Sequence, residues 1–181
     1  MDTVTTSTLY DMGCALGTAR ANGSAPQDAL VILDYGQAQL RSGVYGTYDF
    51  SNHYRTVTQI RAAVKEYAHG FYYCTGSNTT AHVRIGIGTS NYANWCTTCG
   101  MTNAEVAGFG TAWANMVDAT STDIYNAGYG SQVDVVGAAD IEVSWGTSSL
   151  ARSWMNAYEA ANNWAMYDFG DAAGCRTSGT T

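Results

Sequence analysis

Four apolar runs alternate with helix-patterned segments along this chain, and no other feature constrains its fold as much. The runs are residues 29–35, ended by Gly36; residues 82–87, ended by Gly88-Thr-Ser-Asn91; residues 133–136, continuing through Gly137-Ala-Ala to residue 144; and residues 164–169, ended by Gly170. Nearly continuous apolar runs suit strands buried on both faces, as in a parallel sheet. Between the first two runs, Ile60, Val64, Tyr67, Ala68, Phe71 and Tyr72 recur at helical spacing over residues 56–73. Thr102-Asn-Ala-Glu105 is a capping box, and it opens a helix through Phe109, Trp113, Met116 and Val117. Ser148 or Ser149 can cap a third helix with Leu150, Trp154, Ala157, Tyr158 and Ala161 on one stripe. Strand, helix, strand, helix, strand, helix, strand implies parallel βαβ units with right-handed crossovers. The expected fold class is α/β, either part of a (β/α)8 barrel or a small doubly wound sheet. A whole barrel takes about 250 residues, so four strands in 181 residues amount to roughly half of one. The four strands are expected to be parallel, adjacent and in chain order. A half barrel exposes two raw edges, and the expectation is then a second copy or a further C-terminal segment to cover them, or a curl into a smaller closed sheet.

The charge pattern narrows the partners. Eight Lys and Arg face fifteen Asp and Glu, for a formal charge of −7. Phosphate binding needs a basic footprint that this chain lacks, so no nucleic acid is expected. Anionic membrane surfaces are disfavoured for the same reason, and no run of 18 apolar residues could span a bilayer. Only 13 % of residues are charged, so Ser, Thr, Asn, Gln and Gly must supply surface polarity. The N-terminal Met1-Asp-Thr-Val-Thr-Thr6 has no signal-peptide character. With Lys65 the sole lysine and Thr, Asn, Gly and Tyr abundant, the composition is that of secreted bacterial proteins. The expectation is an extracellular protein whose signal segment is absent from this sequence. Residues 1–28 are read as an N-terminal segment, 29–174 as the α/β domain and 175–181 as a polar tail.

Five cysteines are an odd number for disulfides. Short spacing pairs Cys96 with Cys99, and elimination pairs Cys14 with Cys74. Cys175 is left over, either as a free thiol or because its partner lies beyond Thr181. Trp95-Cys96-Thr-Thr-Cys99 also has the form of a thioredoxin-like redox motif, and a thiolate at a helix N-terminus is reactive. Such sites face a cis-proline on a later loop, whereas Pro26, the only proline, lies upstream. A local disulfide pinning a loop is the reading that remains favoured. Cys74 with His53, His69 or His82 lacks zinc-ligand spacing, and Gly86-Ile-Gly88 is too short for a dinucleotide fingerprint. No metal and no cofactor are expected.

The chemistry-bearing residues gather at strand ends. Asp34 follows the first strand, Asp140 and Glu142 lie in the third, and Asp168 lies in the fourth. In α/β folds the carboxyl ends of the strands are where sites are built. Two residues apart on a strand, Asp140 and Glu142 point the same way. Paired carboxylates with separated pKa values are what glycoside hydrolysis uses, one as acid and one as base or nucleophile. Each carboxylate alone could equally cap a loop or pair with an arginine.

The segments Leu33-Asp-Tyr-Gly-Gln37, Arg84-Ile-Gly-Ile-Gly-Thr-Ser-Asn91, Gly137-Ala-Ala-Asp-Ile-Glu-Val-Ser-Trp145 and Met166-Tyr-Asp-Phe-Gly-Asp171 resemble strand ends of glycoside-hydrolase-like (β/α)8 barrels of secreted bacterial proteins. The resemblance spans roughly residues 30–174, as the first half of a barrel. Of the Asp-x-x-Asp-x-Asp-x-Glu signature of chitinase-type barrels, only Asp140-Ile-Glu142 is present. It implies a polysaccharide or cell-wall glycan as substrate, with Asp140 and Glu142 as acid and base and Asp34 and Asp168 tuning them or positioning a water. Trp145 and Trp95, with Tyr35 and Tyr167, are the candidates for stacking on sugar rings. A non-catalytic glycan-binding module on the same fold is the alternative, and a thiol–disulfide oxidoreductase through Cys96 and Cys99 is the third.

Overall fold

The computed structural model of the chain describes residues 6–48, 53–90, 101–140, 149–162 and 166–168. It begins with helix α1 (Thr6–Ala21), followed by strand β1 (Asp28–Asp34). Three short strands come next: β2 (Gln37–Arg41), β3 (Val44–Tyr48) and β4 (Tyr54–Thr56). Helix α2 (Val57–Cys74), strand β5 (His82–Ser90), helix α3 (Asn103–Asn126), strand β6 (Val133–Asp140), helix α4 (Ser149–Ala161) and strand β7 (Tyr167–Asp168) complete the order.

The molecule is a mixed α/β fold around a parallel sheet. Its strands lie in the order β1-β5-β6-β7, every neighbouring pair is parallel, and spatial order follows chain order, as expected. No strand order doubles back among the described residues. Side chains at paired positions of a parallel sheet share a face. Leu33, Val83, Ile85, Ile87, Val133, Val135 and Ala139 fall on one face and are buried. Against it pack Ile60, Val64 and Phe71 of α2, Trp113, Met116 and Val117 of α3, and Trp154, Met155 and Tyr158 of α4. Each large apolar side chain so buried contributes roughly 1.5–3 kcal/mol. The two longer helices start where their caps dictate: Thr56 and Gln59 form one capping box, Thr102 and Glu105 the other.

Three features depart from the sequence reading. The N-terminal segment, left without an element, carries α1, which packs along α2 through bare backbone. A Cβ added at Gly13 would run into the Tyr67 carbonyl, and one at Gly70 into that of Tyr10. The Cys14–Cys74 disulfide fastens the same pair, with Cα atoms 5.0 Å apart. Second, β2, β3 and β4 form a separate antiparallel sheet between β1 and α2. Its hairpin turns at Ser42 and Gly43, both with positive φ (50° and 77°), as a two-residue turn between twisted strands requires. Third, the second parallel strand does not stop at residue 87. Gly88, Thr89 and Ser90 go on pairing with Ala138, Ala139 and Asp140. The described part of the third strand ends at Asp140, and of the fourth only Tyr167 and Asp168 are described as strand. Residues 141–148 and 163–165 lie outside the described residues.

Candidate functional site

Asp34, Ser90 and Asp140 close the carboxyl ends of three adjacent strands. Asp34 is the last residue of β1, Ser90 of β5 and Asp140 of β6. The register pairs Asp34 with Gly88, and Ser90 with Asp140. All three positions therefore share the sheet face opposite to Leu33, Ile87 and Ala139, the face away from the helices.

The turn after β1 fixes Asp34. Its Oδ1 accepts the Gly36 amide at 2.9 Å, and Gly36 takes φ 83°, which a side chain would resist. The Gly36 carbonyl in turn accepts the Thr89 hydroxyl at 2.8 Å and the Ser90 amide at 3.1 Å. Thr89 Oγ1 accepts the Ala38 amide at 3.2 Å. The start of the small antiparallel sheet is thereby tied to the end of β5, beside the carboxylates. The Tyr45 hydroxyl donates to the Phe109 carbonyl at 3.1 Å and links the same sheet to α3.

Electrostatics couples the two carboxylates. Burial pushes the Asp34 carboxyl above its ordinary range, the negative charge of Asp140 pushes it further, and the Gly36 amide partly opposes both. A half-buried carboxyl whose protonated form is favoured by burial and by a neighbouring carboxylate is an arrangement that acid–base chemistry uses. Ser90 is 1 % exposed, and its Oγ has no hydrogen-bond partner among the described residues. Sequence reading missed Ser90 because Gly88-Thr-Ser-Asn91 looked like a strand terminator. The signal that could have found it is the β-branched Thr89, which favours continued strand.

The other expected residues are distributed as follows. Tyr35 turns to the helix side and joins the core at 6 % exposure, where burial raises its phenol pKa and the nearby Arg55 charge opposes this. Tyr167 pairs with Ala138, and its hydroxyl accepts from Arg84 Nη1 at 2.7 Å. Asp168 pairs with Ala139, one residue out of step with the Asp34–Ser90–Asp140 row. Glu142, Trp95, Trp145, Cys96, Cys99 and Cys175 lie outside the described residues.

Arg84 belongs to a polar ladder at the amino end of the same face, which the sequence reading did not see. Arg84 Nη2 approaches Asp134 Oδ2 at 3.4 Å. His82 Nε2 stands 3.4 Å from the same oxygen, and its Nδ1 3.7 Å from Asp28 Oδ1. An open cleft of about 630 Å³ lies over these residues, with Leu30 and Tyr167 at its sides. Two polar ends thus flank a strip of Ile32, Gly86, Val136 and Ala138. A side chain at Gly86 would collide with Ile32 Cδ1, so the glycine lets Ile32 lie flat.

Among the described residues no three His, Cys, Asp or Glu side chains gather as a metal-ligand set, and no helix is long and apolar enough to cross a membrane. No protein-family model matches the chain, and no similar curated protein or solved structure is found.

Proposed function

We propose that this protein is a secreted glycoside-hydrolase-like protein that acts on a polysaccharide or cell-wall glycan, with its parallel sheet as the first half of a (β/α)8 barrel. The observation that carries the reading is the Asp34–Asp140 pair at the carboxyl ends of β1 and β6, with the Asp34 carboxyl held above its usual range. Strand order that follows chain order supports the barrel. The Cys14–Cys74 disulfide suits an oxidising compartment.

In this reading Asp34 is the general acid and the ionised Asp140 the base. Asp34 gives its proton to the glycosidic oxygen as the bond from that oxygen to the anomeric carbon breaks. Asp140 takes a proton from a water whose oxygen bonds to the anomeric carbon. The proton lost by Asp34 and the one gained by Asp140 balance, and exchange with solvent resets the pair. Glu142, two residues beyond Asp140 in sequence, remains a candidate for sharing the role of base.

The test is release of reducing ends from soluble chitin, cellulose and peptidoglycan oligosaccharides. Turnover on at least one, lost in Asp34→Asn and in Asp140→Asn, supports the reading. No turnover on any, or turnover that both variants keep, rejects it. Retention of these glycans without turnover would identify the non-catalytic module instead.

A further inference from the structure

Five aromatic rings from three separate elements meet at the opposite end of the molecule. Tyr10 comes from α1, His69, Tyr72 and Tyr73 from α2, and Tyr129 from the turn before β6. The His69 imidazole stacks on Tyr129 with centroids 5.7 Å apart and planes 3° off parallel. Tyr10 and Tyr73 stand edge-on to His69 at 5.0 and 6.3 Å. Tyr72 leans on Tyr129 at 4.9 Å. Glu66 Oε2 lies 3.7 Å from His69 Nδ1, and both side chains are more than two-fifths exposed. Tyr73 is 71 % exposed. The turn that carries Tyr129 is pinned by its own backbone. The Tyr129 amide donates to Ile124 O at 3.1 Å, and its carbonyl accepts the Gln132 and Val133 amides at 3.0 Å.

We infer that this cluster is a second, non-catalytic glycan-binding surface that takes an uncharged sugar chain. The choice of ligand class rests on the glycan reading above; the surface itself stands on the rings. Three observations select an uncharged sugar. First, the cluster is made of tyrosines and one histidine at the surface, Tyr73 exposed and Tyr10, His69, Tyr72 and Tyr129 half-buried. Tyrosine offers the pairing that sugars use: their C–H faces lie on aromatic planes and their hydroxyls bond phenol groups. Second, the rings pack directly on one another, stacked, tilted or edge-on, the arrangement of a platform, whereas a cage for an ammonium group holds its rings apart around the cation. Third, the chain carries a formal charge of −7 and Glu66 sits within the cluster, so an acidic polymer would be repelled. The rings are already ordered by mutual contact and by the Tyr129 turn, so little rotamer freedom is lost on binding.

The position gives the surface its use. The last turns of α2 and the turn before β6 lie at the amino ends of the strands, whereas Asp34 and Asp140 lie at the carboxyl ends. A polymer held at one end leaves the carboxylate end free to work on a neighbouring strand of the same insoluble material.

Co-sedimentation of the full chain with insoluble chitin, cellulose and β-1,3-glucan, all uncharged, tests this. The expected result is saturable binding to at least one of them that persists in 1 M NaCl. Tyr73→Ala and Tyr10→Ala should each weaken it about tenfold, whereas Tyr129→Phe, which keeps the ring, should not weaken it beyond about twofold. Each variant is compared at an unchanged melting temperature, and Tyr73, being exposed, tolerates truncation. The double variant Asp34→Asn, Asp140→Asn should bind as the parent does. Binding to none of the three polymers overturns the inference, as does binding that both Tyr73→Ala and Tyr10→Ala leave intact. Binding lost only in the Asp34, Asp140 double variant also overturns it, since retention then belongs to the other end. Absence of soluble-substrate hydrolysis by the parent, with retention preserved, rejects the catalytic reading and leaves the surface standing.

Discussion

Asp34 and Asp140 end strands β1 and β6 on one face of the sheet, with only β5 between them, and the charge of Asp140 adds to the burial that keeps the Asp34 carboxyl protonated beyond its ordinary range. A consequence for stability follows from this pairing. Between the ordinary carboxyl value of 3.8 and the raised folded value, the folded protein holds a proton that the unfolded chain has released. Stability then falls as pH rises through that window, and the loss persists above it. Asp34→Asn removes the ionisation while its Oδ1 still accepts the Gly36 amide. The variant is expected to melt above the parent at pH 7 and level with it near pH 3, and on the proposed mechanism glycan turnover would drop by about a hundredfold or more. Calorimetric melting at both pH values checks the first part. A variant that melts below the parent at pH 7 would show that ionised Asp34 stabilises the fold.

The Cys14–Cys74 bridge joins α1 to the last residue of α2 across a sequence separation of 60. Loop-closure entropy for a loop of that length corresponds to about 4 kcal/mol in the chain-entropy picture. Cys14→Ala, Cys74→Ala is therefore expected to lose about 2–4 kcal/mol in urea unfolding. Dithiothreitol should bring the parent to the same midpoint. Equal midpoints for parent and variant without reductant would mean that the Gly13–Tyr67 and Gly70–Tyr10 backbone contacts alone hold α1 in place.

How much of this was legible in the sequence varied with the physics of each element. The parallel strands announced themselves through apolar runs such as Leu30 to Leu33, although burial on both faces was not what the run signalled: Leu33 is buried against the helices, whereas Leu30, on the other face, is 45 % exposed. Helices α2 and α3 announced themselves through Ile60, Val64 and Phe71 on one stripe and through the Thr102–Glu105 box. Helix α1 did not, since its contacts use Gly13 and Gly17 to bring backbones together, and glycine reads as a helix breaker. The small sheet was hidden because Gln37-Ala-Gln-Leu-Arg-Ser-Gly-Val-Tyr-Gly-Thr-Tyr48 is too polar to read as core strand. Its Ser42-Gly43 pair was the available hairpin signal. At the site, Asp34 and Asp140 were found by their place at strand ends. Ser90 and the His82–Asp134–Arg84 ladder were not, because they depend on register between strands, and a single sequence does not state register.

Two glycines of α3, two residues apart, are predicted to respond in opposite directions. A Cβ at Gly108 meets nothing within 4 Å, so Gly108→Ala gains only the helix preference of alanine, up to about 1 kcal/mol. Gly110 faces α4, where a Cβ would collide with the Trp154 carbonyl. Backbone cannot swing aside as a side chain can, so Gly110→Ala is expected to cost about 1–3 kcal/mol. Guanidinium unfolding of the two variants decides it. Stabilisation by both would mean that α3 and α4 have room to separate.

Arg20 presents the least expected burial among the described residues. It is 1 % exposed, and none of its three guanidinium nitrogens has a hydrogen-bond partner among the described residues. The guanidinium lies 6.0 Å from the centroid of the Phe71 ring. Asp28 and Tyr67 are the titratable groups that favour its charge, while burial opposes it more strongly. Ring contact returns only part of what a desolvated, unbonded cation costs. A flexible apolar side chain of similar length should fill the same space between α1 and α2 without that cost. Arg20→Met is therefore predicted to raise unfolding stability by about 1 kcal/mol or more. Arg20→Lys, which keeps the charge but loses the flat stacking surface, should lower it. Urea unfolding of both variants beside the parent separates the cases. If Arg20→Met were less stable than Arg20→Lys, the positive charge itself would be what the fold requires at this position.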